Sequence, residues 1–223
     1  MMTLEPRLRT LILYHEDCLE HTARRASEWE GPDRLTEIMN ALQDKAEFQD
    51  YELEITTHFK KASVEMLSRA HSAEYIAFVD SLSKQVQQQE TQDNNNSTVP
   101  FTPQVQKMIQ GQSDDHLKKA EYCDTTFSTG TLLAARRAAG AVAFAVDRVL
   151  TGRNRNAFCV VRPPGHHAGH QGLLDGAKSC GFCIFNNVAV GALHALDTEG
   201  HSCPRVAIID LDIHHGTYVR TIH

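Results

Sequence analysis

No stretch of about 18 consecutive apolar residues occurs in the chain, so the sequence contains no membrane-spanning helix. The N-terminus, MMTLEPRLRT, has neither the apolar core nor the small-residue cleavage site of a secretory leader. Together these absences predict a nuclear and/or cytoplasmic protein with no membrane partner. An excess of positive charge is missing too: the formal net charge is −6, which argues against a basic surface for direct nucleic-acid binding. Cysteine is present, but not as a zinc ribbon. Cys180 and Cys183 form one C-x-x-C and Cys203 stands alone, so the six cysteines read as free thiols. No internal repeat is visible. With 41% hydrophobic and 22% charged residues in 223, the composition is that of one large globular domain.

Strands are predicted at Leu11–His15, at Leu53–Phe59, over NAFCVVRP (156–163) and over RVAIIDLDI (205–213). The last is an apolar run expected to be buried on both faces. A helix follows Pro32 through DRLTEIMNALQDKAEF, with Leu35, Ile38, Met39 and Leu42 on one face. Two more, VEMLSRA and SAEYIAFVDSL, are broken around His71. TLLAARRAAGAVAFAVDRVL (131–150) reads as a long helix with Leu132, Ala135, Ala139, Val142, Val146 and Val149 on one stripe. NNVAVGALHAL reads as another helix. Strand, helix and strand from Asn156 to Ile213 imply a βαβ unit with a parallel sheet. The Gln/Asn-rich tract at 85–99 is expected to be an insertion or disordered loop rather than a domain boundary.

Five of the thirteen histidines fall in two clusters: His166, His167 and His170, then His214 and His215. In DLDIHHG (210–216), strand alternation sends Asp210, Asp212 and His214 to one face. Two carboxylates and an imidazole then converge at the C-terminal end of a strand, where open α/β sheets bind ligands. That donor set suits zinc or another first-row divalent ion. A bare D-x-H would more often be a capped strand end with a solvated histidine. In RPPGHHAGH (162–170), the prolines and Gly165 form a rigid turn that presents His166 and His167 at the same edge. Adjacent imidazoles sharing a site have split proton affinities, which suits a general base beside a charged partner. A surface histidine pair is the alternative. Cys180 and Cys183 read as buried or pocket-lining thiols, with Phe182 as a wall residue.

RPPGHHAGH, CGFCIFNNVAVGALHAL and RVAIIDLDIHHG resemble, in order and spacing, the zinc-dependent histone deacetylase family, its class II branch especially. AHSAEYI (70–76), CDTTFSTGTLLAARRAAGA (123–141) and GPDRL (31–35) resemble it more loosely. The resemblance implies an α/β fold of the arginase/deacetylase type, a parallel sheet flanked by helices, incomplete in this chain. It implies that 1–223 is the N-terminal part of one catalytic domain and that 217–223 is a tail foreign to the family. The implied activity is Zn2+-dependent hydrolysis of N6-acetyl-lysine in histones or other proteins, in chromatin regulation and transcription repression, within a corepressor-type complex. His166 and His167 match the tandem histidines, the second as general base. Asp212 and His214 match two of three zinc ligands. Asp210 matches the carboxylate behind His166 and, with Asp212, part of a structural K+ site. Gly181 and Phe182 match walls of the acyl-lysine tunnel, Asp124 a residue holding the substrate backbone at its rim, and Arg34 an internal-channel arginine.

The sequence departs from the family after Gly216. Thr217 stands where the family carries an Asn or Asp that supports the second tandem histidine. The third zinc ligand, an Asp, and the carbonyl-polarising tyrosine have no matching positions, and Tyr218 is too close to the ligand strand to be that tyrosine. The expectation is therefore a truncated deacetylase, inactive alone. The alternatives are a catalytically dead deacetylase-like binding or regulatory module, and an acetylpolyamine deacetylase.

Overall fold

Leu11, Ile12 and Leu13 are at most 1% exposed, because the strand they form, β1 (Thr10–Tyr14), is the centre of a parallel sheet. A computed structural model of the chain describes residues 8–22, 30–49, 52–93, 98–111, 123–172, 180–197 and 203–216. In it β1 lies between β2 (Leu53–Thr56) and β5 (Ala157–Val160), in the order β2-β1-β5. Both pairings are parallel, with Ile12 opposite Ile55 on one side and Phe158 on the other. Parallel sheets need cover on both faces, and β1 alternates to meet it. Leu11 and Leu13 pack with Phe59 and with Ala141 and Ala145 of α5 (Thr131–Leu150). Ile12 packs the opposite way, with Leu35 and Met39 of α1 (Asp33–Gln43). The predicted parallel sheet flanked by helices is present, small and incomplete.

A larger apolar cluster lies beside the sheet, between α5, α2 (Val64–Ala70), α3 (Ala73–Asp93) and α6 (Asn187–Asp197). α3 buries Tyr75, Phe78, Val79, Leu82 and Val86, whose steps of 3, 1, 3 and 4 keep to one face of a helix. Phe78, Phe101 and Phe127 stack in series at centroid distances of 5.7 and 5.6 Å. Phe101 precedes α4 (Pro103–Ile109), which Thr102 caps by accepting from Val105 N–H, and Phe127 lies in a two-strand ribbon of β3 (Val99–Pro100) and β4 (Thr126–Phe127). Among the described residues, no helix is long and apolar enough to cross a membrane.

Five expectations need correction. α1 stops at Gln43 because Asp44 turns extended and its carboxylate accepts from Ala46 N–H at 2.8 Å, an Asx turn that competes with the next helical bond. β2 stops at Thr56, whose hydroxyl accepts from His58 N–H at 3.1 Å. The Gln-rich tract is helical as far as Asp93, since Gln and Glu are good helix formers and Val86 still reaches the core. Residues 94–97 lie outside the described residues. On α5 the buried face is broader than the predicted stripe: Ala135 and Ala139 are buried, joined by Ala134, Ala138 and Ala141, while Val142, Val146 and Val149 are half-buried.

The fifth correction is the largest. Residues 203–216 form no strand, and Ile209, Leu211 and Ile213 are 83, 89 and 94% exposed. The βαβ unit thus has its first strand, β5, and its helix, α6, but not its second strand. Local bonds take the place of a ladder: Asp210 accepts from Asp212 N–H at 3.1 Å and Asp212 from His214 N–H at 2.8 Å.

Beyond β5 the chain is tied down by charge. Arg162 has no exposed surface; its guanidinium donates to both carboxylate oxygens of Glu30 at 2.8 Å, and to the carbonyls of Cys18 and His21. His21 lies against the same carboxylate at 3.7 Å and bonds Thr131 Oγ1 at 2.8 Å. Removing one partner of a buried ion pair strands the other charge without water. Glu30→Ala is expected to lower the unfolding free energy by about 3–5 kcal/mol, measured by denaturant titration; a loss near zero would mean that Arg162 finds another acceptor.

Two buried histidines make stability depend on pH. Burial lowers His21 from 6.5 to about 4, aided by the nearby Arg162, and burial likewise lowers His71 from 6.5 to about 4. Between those values the unfolded chain binds protons that the folded chain refuses, so acid favours unfolding. The thermal midpoint should fall as pH drops from 6.5 to 4 and lose this component of its slope below that. Calorimetry at stepped pH checks it, and a midpoint constant across that window would refute the burial of both groups.

Candidate active site

The turn that carries the histidine pair begins directly after Arg162. Its path is set by how closely it approaches α6. A Cβ on Gly165 would lie 2.2 Å from the Phe185 carbonyl oxygen and 2.7 Å from Asn187 N, so no larger residue fits there. Asn187 Nδ2 donates to the Pro163 carbonyl and Asn186 Nδ2 to the Ala168 carbonyl, each at 3.1 Å. Ala168 N–H closes the turn on the Gly165 carbonyl at 3.0 Å. His166 and His167 thus stand on a turn fixed at both ends.

Their rings lie 4.1 Å apart, centroid to centroid, at 41°. His166 Nδ1 is 2.9 Å from Asp210 Oδ2. A carboxylate only accepts, so Nδ1 carries a proton. That bond, followed by the one from Asp212 N–H, holds Asp210 below the usual carboxylate range. Gly216 makes room for it, since a Cβ there would lie 2.5 Å from Asp210 Oδ2. His167 is lowered by burial, then by His166 and His214, against a smaller opposing pull from Asp212 and Asp124. One imidazole backed by a carboxylate beside one biased to the neutral form is suited to general acid–base chemistry.

Gly181 lies against His167, with Phe182 next to it in the chain. Both have left-handed backbone, φ +53° and +65°, and a Cβ on Gly181 would meet the His167 ring at 2.2 Å. For Phe182 that conformation is strained, and two bonds hold it. Phe182 N–H donates to Thr125 Oγ1 at 2.8 Å and Gly181 N–H to Asp124 Oδ2 at 3.1 Å. Asp124, Gly181 and Phe182 therefore form one unit beside the histidines. Cys180 and Cys183 are buried free thiols; burial pushes Cys183 up to about 12 and raises Cys180 as well, so neither is poised for thiolate chemistry.

Arg34 does not join this group. Its guanidinium is 43% exposed and 3.6 Å from Glu30, whereas the buried guanidinium on that carboxylate belongs to Arg162. Asp212 and His214 do come near: His214 lies 6.2 Å from His167 between ring centroids, and His214 Nδ1 is 2.8 Å from Asp212 Oδ1. The His214 backbone and ring hold Asp212 below the usual carboxylate range. As a donor set, this carboxylate–imidazole pair fits a first-row divalent ion. A catalytic zinc takes three protein ligands, one more than this pair could offer. Among the described residues no three His, Cys, Asp or Glu side chains gather as a metal cage. Sequence reasoning missed Arg162, His71 and Asn186 as organisers of the site. The paired asparagines opening α6 carried a helix-capping signal, and Asn186 Oδ1 does accept from Ala189 N–H at 3.0 Å.

A parallel α/β sheet whose last strand leads into a carboxylate-backed histidine pair, with a carboxylate–imidazole donor pair alongside, is an arrangement suited to acid–base chemistry beside a divalent ion. The chain belongs to the histone deacetylase family: the histone deacetylase domain matches residues 28–222. It is 32% identical over 224 residues to type-2 histone deacetylase 1 of Dictyostelium discoideum, covering 93% of this chain and 15% of that protein. It is 33% identical over 213 residues to the polyamine deacetylase HDAC10 of Homo sapiens, covering 93% of this chain and 26% of that one. The crystal structure of the HDA15 HD domain superposes with a TM-score of 0.62 at 28% identity, covering 84% of this chain and 43% of that chain. The chain thus spans less than half the length of each of these three. The family is generally zinc-dependent and acts on acetylated lysine.

The contact between Gly181 and His167 can be tested directly. Gly181→Ala should cost about 1–3 kcal/mol of stability and shift the His167 ring signals in a histidine-edited NMR spectrum. A variant with an unchanged unfolding midpoint and unchanged ring signals would show that the two do not touch.

Proposed function

We propose that this chain carries the acid–base part of a lysine deacetylase centre, acting in the hydrolysis of N6-acetyl-lysine amides in histones or other proteins. The observation that carries this reading is the pair His166–His167, 4.1 Å apart, with Asp210 on the outer nitrogen of the first. His167, biased to the neutral form, takes a proton from the attacking water as its oxygen bonds to the amide carbonyl carbon. The tetrahedral adduct collapses as the C–N bond breaks. The lysine nitrogen leaves with a proton from the histidine pair, giving acetate and a free lysine amine. The bond from its Nδ1 to Asp210 fixes the ring orientation of His166.

Zinc, when bound, supplies a Lewis acid that polarises the carbonyl, and Asp212 with His214 would hold it. Gly181 and Phe182 would flank the alkyl chain of the acyl-lysine. Asp124 would receive the substrate backbone N–H: each of its oxygens already accepts one bond, from Thr125 Oγ1 and from Gly181 N–H, and retains a second lone pair.

The test is hydrolysis of an acetyl-lysine peptide and of an acetylpolyamine, side by side, by the zinc-supplemented chain joined to the rest of a deacetylase domain. Peptide hydrolysis should exceed polyamine hydrolysis, and His167→Ala should lose roughly 10²–10⁴ of the rate. A reversed preference would move the substrate to polyamines, and equal rates for wild type and variant would remove His167 from the chemistry.

A further inference from the structure

The His166–His167 turn takes its position from a part of the chain far from it in sequence. Residues Ala70–Tyr75 form the corner between α2 and α3, and that corner bonds both loops that build the site. Ser72 N–H donates to the His170 carbonyl at 2.8 Å, and His170 Nδ1 donates to the Ala70 carbonyl at 3.0 Å. Tyr75 OH donates to the Ile184 carbonyl at 2.6 Å. His71 lies between these bonds, 1% exposed, and is shared by the two loops. Its Nδ1 lies 2.9 Å from the Gly169 carbonyl, on the histidine loop. Its Nε2 accepts from Asn186 N–H at 2.9 Å, on the loop that follows Gly181 and Phe182.

We infer that His71 is a positioning residue that sets the His166–His167 turn relative to the Gly181–Asn186 loop, a role that rests on the acid–base reading above. The two bonds admit one chemical form. A carbonyl oxygen needs a hydrogen on Nδ1, and a backbone N–H needs a bare lone pair on Nε2, so the ring is neutral with a single tautomer. A second proton would set Nε2–H against Asn186 N–H, and burial opposes that proton as well. The ring cannot turn to exchange roles, being packed against Tyr75 at 5.2 Å and Phe185 at 5.4 Å between centroids. From Asn186 the linkage continues through its side-chain bond to the Ala168 carbonyl, one residue beyond His167. A donor and an acceptor on one rigid ring thus fix the spacing of the two loops. Two separate side chains would leave each loop free to settle alone.

Three variants separate positioning from support. His71→Phe keeps the ring packing and removes both bonds. His71→Asn can keep the donor toward Gly169 without an acceptor that reaches Asn186, and His71→Gln can do the reverse. Each is examined on the full chain at a temperature where circular dichroism shows it folded. Histidine-edited NMR reads the ring nitrogens of His166 and His167 in the chain, and steady-state kinetics reads acetyl-lysine hydrolysis by the chain joined to the rest of a deacetylase domain. His71→Phe should shift the ring signals and lower kcat on the order of 10²-fold with KM little changed, and His71→Asn and His71→Gln should each recover part of the loss. Folded variants with reduced melting temperature but wild-type ring signals would overturn the inference and leave His71 a purely structural residue. If His71→Phe fails to fold, His71→Asn and His71→Gln decide by the same signals. If the wild-type chain, so completed, hydrolyses no acetyl-lysine substrate, the functional reading fails by itself, and the ring signals still decide whether His71 positions the pair.

Discussion

A guanidinium without access to water must be surrounded by acceptors, and that requirement organises the side of the molecule where the site lies. Arg162 meets it with two oxygens of Glu30 and the carbonyls of Cys18 and His21. Those acceptors come from the turn after β1 and from the residues leading into α1, so one side chain joins three stretches of chain. Lysine could not replace it, since a single ammonium lacks the planar fork that matches a carboxylate edge on. The next residue is Pro163, and from there the backbone is handed to Asn187, Gly165 and Asn186 in turn. The histidine pair is held by polar bonds to neighbouring loops more than by apolar packing.

Periodicity made the helices legible. α5 runs over the same residues, 131 to 150, that its alanine-rich pattern predicts, because a long run of one period leaves little alternative. The ends of α1 and β2 were not legible, because Asp44 and Thr56 stop them with side-chain bonds to nearby N–H groups, which carry no period. Composition misled at the Gln-rich tract, where polarity resembles a loop but the residues are good helix formers anchored by Val86. In the site, His166, His167 and Asp210 could be found from local motifs even though 44 residues separate the bonded pair. His71 and Asn186, 115 residues apart, could not, since a buried bond between distant singletons leaves no local trace. Arg34 lies in a loosely matching stretch and is exposed, while the buried arginine, Arg162, stands inside the strongest motif.

The segment 203–216 shows two signals in the same residues pulling apart. Val206 to Ile209 carries the apolar content of a core strand, and Asp210 to His214 carries side chains that bond their own backbone. A strand requires a paired edge and cover on both faces, and among the described residues neither is supplied to Ile209, Leu211 or Ile213. The local bonds then decide the geometry. They still bring Asp210 onto His166 and His214 to within 6.2 Å of His167, so the chemical neighbourhood does not depend on the strand.

α3 divides unequally along its length. Up to Val86 its side chains interlock with Phe101, Phe127 and Phe185, and inserting one residue there would turn everything beyond it by about 100°. Past Val86 none of residues 87–91 is buried, so the same insertion would rotate only solvated glutamines and their neighbours. The first part of the helix has a length gauged by what it touches; the second has none. Homologous chains are free to differ in length there without disturbing the corner at His71, more than a dozen residues upstream.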